Sequence, residues 1–271
     1  MKYLVPYDFS SIAKTSLHHA IALLQKIPGT IELLHIVERE QDKENAEFTL
    51  TGLIASLPDE TRGKVTSKVL VGDIFVDIAR EAEEGDADLL VMGTHGAKGL
   101  QKIFGSRAIK VITSSNTPFI VTQLKEPERP IELIVLPVDL SKESLQVVEF
   151  ATMLARRFHA KIHLVCEPER DEWLSKRLKN NIAWAKMKMS DDVDYEVISL
   201  EGKDSFAEEV IDYGESQNAD LFAITHFSDS ILPQFDTFTQ ELITNRIQVP
   251  VLVLEAKKIS DINTNYTFIG M

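Results

Sequence analysis

Tyr3-Leu-Val-Pro-Tyr-Asp-Phe-Ser10 and Ile134-Val-Leu-Pro-Val-Asp-Leu-Ser141 are the same phrase written twice, once near the start of the chain and once near its middle. In both, a short apolar run ends in Pro, then Asp, then Ser, in the same order. Without a gap the same displacement carries Ala20 onto Ala151 and the run Ile31 to Leu34 onto Ile162 to Val165. Further along, Val71-Gly72-Asp73 answers Glu201-Gly202-Lys203. With the displacement lengthened by a single position, Ala87-Asp88-Leu89 answers Ala219-Asp220-Leu221, and Thr117-Pro118-Phe119-Ile-Val121 answers Val249-Pro250-Val251-Leu-Val253. Ordered correspondences of this kind describe an internal duplication, and a period this long makes each copy a whole domain.

Between the copies lies Lys125-Glu-Pro-Glu-Arg-Pro130, whose prolines cannot donate to a strand ladder and favour an extended chain. The expected organisation is therefore one domain over 1–124, a second over 131–256 and a polar tail over 257–271. Within the first copy, Tyr3 to Val5, Ile31 to Val37, Thr66 to Val71, Leu89 to Met92 and Phe119 to Thr122 are short runs rich in Val, Ile and Leu. Such runs suit strands buried on both faces. The stretches between them carry helical spacing, with Ile12, Leu17, Ala20, Leu24 and Ile27 on one face behind the candidate caps Asp8 and Ser10. Ile74 to Ala82 and Ile109 to Ile112 also look helical. Strict alternation of strand and helix implies right-handed crossovers and a parallel sheet covered on both faces. The fold expected is α/β: two tandem, doubly wound, five-stranded, Rossmann-like domains forming a pseudo-dimer whose last strands meet antiparallel.

Composition narrows the function classes. The chain has 271 residues and a formal net charge of −13, from 42 acidic against 29 basic residues, and no Lys/Arg cluster stands out along it. Nucleic-acid binding is disfavoured, because backbone affinity needs concentrated positive charge. No apolar run reaches the length of a membrane span, no secretory pattern stands at Met1 to Pro6, and a single Cys cannot make an internal disulfide. A cytoplasmic protein with neither membrane nor nucleic-acid partner is the expectation. Cys166, inside an apolar run, reads as a small buried hydrophobe.

In a doubly wound sheet, ligands bind beyond the carboxyl ends of the strands. After the fourth strand comes Gly93-Thr94-His95-Gly96-Ala97-Lys98-Gly99, and then Gly105-Ser106 opens a helix. Glycines let the backbone approach an anion, and a Ser at a helix start adds a hydroxyl, free N–H groups and the positive end of the dipole. This is a phosphate cradle by its physics, although glycines serving only a tight turn would look alike. Neither a G-x-x-x-x-G-K-[ST] loop nor a G-x-G-x-x-G fingerprint after the first strand is present. Asp8, at the exit of strand one, is placed either to accept from a ribose or an amine or to cap the next helix. Ile36, at the exit of strand two, is placed either against a base or in the core. His95 and His226 stand alone, His18-His19 read as surface or packing residues, and no zinc-like Cys/His cluster occurs. No catalytic or metal-binding residues are assigned.

Together, Leu4 to Ser10, Leu34-His35-Ile36-Val37, Val71-Gly72, Asp88-Leu-Leu-Val-Met-Gly-Thr-His-Gly96 with Gly105-Ser106, and Thr117-Pro118 resemble the universal stress protein family. The resemblance covers the first half and, more weakly, the second. It implies ATP binding in the first domain, with AMP or ADP as alternatives and Mg as a companion ion. Pro6, Asp8 and Ile36 would face the adenosine beside Met92 and Gly93, and Gly96, Gly105, Ser106 and Arg107 would hold the phosphates. The loop from Ala97 to Phe104 is one residue shorter than the family's pattern. In the second copy Thr225, Ser228, Thr237 and Phe238 stand where Gly93, Gly96, Gly105 and Ser106 stand in the first. Side chains there are expected to take the room of a phosphate, and Asp139 to act as a helix cap. The function expected is a non-catalytic, ATP-binding stress-response or regulatory protein, with at most weak ATP hydrolysis, working as a homodimer of the tandem chain. The alternatives are a nucleotide-independent interaction or small-ligand-binding protein, and a slow ATPase or adenylating enzyme.

Overall fold

The structure is a computed structural model, and it describes residues 1–93, 117–189, 192–202, 205–226 and 237–256. The chain divides into two compact units at the Pro130–Ile131 junction, with Ile243–Leu252 grouped with the first.

The first unit runs β1 (Lys2–Pro6), α1 (Ser11–Lys26), β2 (Thr30–Val37), α2 (Lys43–Ala55), α3 (Asp59–Arg62), β3 (Val65–Val71), α4 (Ile74–Glu84), β4 (Leu89–Gly93) and β5 (Phe119–Thr122). The expected helix at Ile109 to Ile112 lies outside the described residues. Strand order is β3-β2-β1-β4-β5, and each described pairing is parallel. Tyr3, Leu4 and Val5 of β1 are fully buried, as continuous apolar runs in a sheet covered on both faces require. After β3 the winding reverses to place β4 on the other side of β1. The switch point therefore falls between Pro6 and Gly93, at the carboxyl edge of the sheet.

Local chemistry sets where each element begins. The Ser10 side chain accepts from the Ala13 amide at 3.1 Å and caps α1, and the Asp8 carboxylate accepts from the Ser10 amide at 3.0 Å. Asp8 thus fixes the turn that delivers the cap, and the cap itself is Ser10. Below it, α1 buries Ile12, Leu17, Ala20, Leu23 and Leu24 against the sheet. At the other edge of the sheet, Asp88 accepts from the Lys2 amide at 2.7 Å and so ties the start of β1 to the entrance of β4.

The second copy of the repeat follows the same plan with β6 (Leu133–Pro137), a 3₁₀ turn at Glu143–Val147, α5 (Val148–Phe158), β7 (Lys161–Cys166), α6 (Glu172–Lys188), β8 (Tyr195–Ser199), α7 (Phe206–Ser216), β9 (Leu221–His226), α8 (Thr237–Ile243) and β10 (Val251–Glu255). Strand order is β10-β9-β6-β7-β8. The duplication extends to single hydrogen bonds: Asp220 accepts from the amides of Glu132 and Leu133 at 2.9 and 3.0 Å, as Asp88 does from Lys2. Asp86 and Asn218, at corresponding positions of the two copies, both take left-handed backbone just after α4 and α7. A short polar side chain tolerates that conformation, which ends a helix. Cys166 is buried, its thiol is pushed up by burial, and it packs as the apolar residue its surroundings suggest.

Candidate functional site

At the first unit's switch point the loop after β1, the end of β2, the start of α4 and the end of β4 enclose a pocket. Pro6, Asp8, Ile36, Met92 and Gly93, drawn from three separate stretches of sequence, all line it. Gly96, Gly105, Ser106 and Arg107 lie outside the described residues. The apolar wall is made by Leu34, Ile78 and Met92, and the polar groups are those of Asp8, Ser10 and His35. The cavity these residues enclose is about 90 Å³. Whole-ligand pockets begin at roughly 300 Å³. The described walls therefore leave room for a flat group and little more.

Two features of this wall were not read from sequence. Phe9 adopts a left-handed backbone (φ 63°), which costs an ordinary residue about 1–2 kcal/mol. Its ring meets His35 at 4.8 Å and the edge of Tyr7 at 5.5 Å. His35 in turn holds Nδ1 2.6 Å from the Tyr7 carbonyl oxygen. A carbonyl only accepts, so Nδ1 carries the proton and donates. The exits of β1 and β2 are thereby clamped together beside the pocket, and burial pushes the Tyr7 hydroxyl above its ordinary value. The only trace of this in the sequence is an aromatic on either side of Asp8 and a His at the end of the second strand.

The second feature concerns Gly93. A Cβ built there would fall 1.8 Å from Ile12 Cγ2 and 3.4 Å from Ser16 Oγ. Gly93 is thus required by the approach of α1 to β4, whatever occupies the pocket. Gly72 has a comparable reason, since a Cβ on it would strike the Asp77 carboxylate, which accepts from the Asp73 amide at 2.6 Å and closes the turn before α4.

The pocket joins apolar surface to a carboxylate, a hydroxyl and an imidazole, and among the described residues no group of three or more His, Cys, Asp or Glu could hold a metal ion. Likewise, no helix among the described residues is long and apolar enough to cross a membrane.

Against known proteins, the sequence model of the Universal stress protein family matches residues 1–123. The match covers the first of the two repeated halves. A universal stress protein of Methanocaldococcus jannaschii is 27% identical over 154 residues, covering 46% of this chain and 95% of that relative. Over nearly the full length, the fold is that of a universal stress protein from Archaeoglobus fulgidus, with a TM-score of 0.71, 20% identity, 94% of this chain and 98% of that one covered. A functionally unknown protein from Pseudomonas aeruginosa aligns over 97% of this chain and 94% of its own, with a TM-score of 0.64 and 16% identity. At such identities the likeness concerns fold. The same α/β fold extends across both halves of the chain.

Proposed function

We propose that the first domain binds one adenine nucleotide, ATP, and that the chain is a non-catalytic stress-response or regulatory protein. The observation that supports this is the meeting of Pro6, Asp8, Ile36, Met92 and Gly93 in one pocket at the carboxyl ends of β1, β2 and β4. A flat base fits against Met92 and Ile36, and Asp8 accepts from a ribose hydroxyl or an exocyclic amine. The triphosphate falls to Gly96, Gly105, Ser106 and Arg107, with Mg as its companion. Backbone N–H groups at a helix start hold phosphate only where no Cβ intervenes. The same reading has the chain acting in the cytoplasm as a homodimer.

Titration calorimetry tests it. ATP should bind with a stoichiometry near one, and Gly105→Val should weaken it about a hundredfold or more. That is the effect of losing two or three charge-assisted hydrogen bonds at roughly 1.5–3 kcal/mol each. A stoichiometry near two, or an unchanged affinity in Gly105→Val, would leave the glycines as turn residues and remove the proposal. Phosphate release at ordinary enzyme rates would remove the non-catalytic half of it.

A further inference from the structure

At the switch point of the second unit lies a cavity of about 310 Å³, within the range of small-molecule sites. Its walls descend from those of the first pocket. In the alignment of the two copies Pro137, Asp139, Ser141 and Ser144 fall on Pro6, Asp8, Ser10 and Ala13, and Phe206, Ile224 and Thr225 fall on Ile74, Met92 and Gly93. Phe238 holds the position of Ser106. Side chains stand here where the first copy has glycine and serine, as the sequence suggests, and a cavity remains among them; Ser228 lies outside the described residues.

The replacements have a common chemical sense. Phe206 and Phe238 stack on each other at 5.3 Å with 18° between their planes, and both line the cavity, giving it an aromatic side. The lining also includes Asp139, Ser141, Ser144 and Thr225, which bring a carboxylate and three hydroxyls. None of the described lining residues is cationic, so a phosphate would meet a carboxylate without a compensating charge. The polar wall is also held in place. Asn181, itself 2% exposed, donates from Nδ2 to the carbonyls of Asp139 and Ser141 at 2.9 and 3.2 Å, and Asp139 accepts from the Ser141 amide at 2.8 Å. A buried amide fixing two carbonyls of one turn is the kind of support a preorganised site needs.

We propose that the second domain keeps a ligand site at its switch point, rebuilt to take a flat, phosphate-free molecule of the nucleoside class. The ring system lies on Phe206 and Phe238, and its hydroxyl or amine donors reach Asp139 and Ser144. This reading holds whether or not the first domain takes ATP.

Adenosine is the probe, in equilibrium dialysis of the full chain with saturating ATP present. One adenosine per chain should remain bound against ATP. Phe206→Leu, which keeps apolar volume and loses the flat face, should weaken it about tenfold, in line with base–aromatic stacking. Ser144→Leu, which puts a side chain into the cavity, should abolish it. Both variants should bind ATP as the parent does, which also certifies that they are folded. Complete displacement of adenosine by ATP, or an affinity unchanged in Phe206→Leu and Ser144→Leu, overturns the inference. If ATP binds nowhere, the proposal for the first domain falls, and the sensitivity of adenosine to Phe206→Leu still decides this one.

Discussion

Gly93 and Thr225 occupy one position in two copies of the same fold, and the surroundings of each have been rewritten to suit. In the first domain the absence of a side chain lets Ile12 seat its Cγ2 against β4, and α1 begins as a regular helix straight after its Ser10 cap. In the second, Glu143 stands where Ile12 stands, and the space is taken by the Thr225 side chain. Its hydroxyl donates to the Ser144 carbonyl at 3.0 Å and accepts from the Val147 amide at 3.1 Å. A side-chain oxygen inserted into the backbone ladder is a recognised cause of local distortion, and the segment Glu143–Val147 is indeed a 3₁₀ turn. One apolar contact has been exchanged for two hydrogen bonds, and the first turn of the helix has changed with it. The comparison teaches that a glycine in a ligand-binding stretch can owe its identity to the helix behind it.

Breaking the first arrangement should have the largest effect. Gly93→Val places its Cβ inside Ile12 with no flexible neighbour to yield. Overpacking of this sort costs about 1–3 kcal/mol or more, and the first domain's melting temperature should fall by roughly 5–15 °C. Ile12→Ala in the same chain should return part of the loss. Differential scanning calorimetry decides the matter: if Gly93→Val melts as the parent does, the Ile12 contact is not what requires the glycine.

What the sequence could and could not disclose follows the same line. The repeat, the strands and α1 were legible because β1 and its neighbours are unbroken apolar runs and because Ser10 sits one residue before a helical period. Strand limits agree within about a residue, β1 and β4 each running on by one to Pro6 and Gly93. The roles of Asp8 and Asp139 were half legible. Both carboxylates bind the amide of the Ser two residues on, and neither caps the helix directly. Illegible were contacts between residues far apart in the chain: Ile12 against Gly93, the Phe9–His35–Tyr7 cluster, Asn181 under the Asp139 turn. No local propensity records them, because they arise only once the sheet has brought β1, β2 and β4 together. The cavity in the second domain was missed for a related reason. A list of lost glycines says where side chains were added, and the stacking of Phe206 on Phe238 decides how much space remains.

Thr225→Val sharpens the comparison with a smaller effect. The substitution is close to isosteric but removes both hydrogen bonds of the hydroxyl, leaving the amide of the buried residue Val147 to find another partner. An unmade hydrogen bond of this kind costs about 1–3 kcal/mol. The second domain should lose a few degrees of melting temperature, and amide exchange at Val147 should speed up while exchange along α1 is unchanged. ATP affinity should not move. Unchanged exchange at Val147 would mean that the turn re-forms as an α-helix with its amide returned to the Glu143 carbonyl, and that the hydroxyl is a consequence of the 3₁₀ geometry instead of its cause.

The smallest expected effect concerns acid sensitivity, at a position where the two domains carry different titrating groups. Glu32 on β2 pairs with Lys2 at 3.2 Å, and its counterpart in the second copy, His163 on β7, shares its Nδ1 with the Tyr213 hydroxyl at 2.7 Å. His163 is 7% exposed, and burial lowers its pKa below the ordinary histidine value. Glu196 nearby pulls the other way and Lys161 adds to the lowering, while those two groups are themselves paired at 2.7 Å. With the folded pKa below the unfolded one, the folded chain binds fewer protons across the interval between them. Stability is therefore full above the unfolded value of about 6.5 and is lost as pH falls from there toward the folded pKa. His163→Gln cannot take up a proton and retains a partner for Tyr213. Melting temperatures at pH 7.5 and 5.5 should show the parent losing more on acidification than the variant, by a difference on the order of a degree. If parent and variant lose equally, the acid sensitivity of the second domain belongs to its carboxylates, with burial of Glu167 beside Glu209 and Glu169 the next place to look.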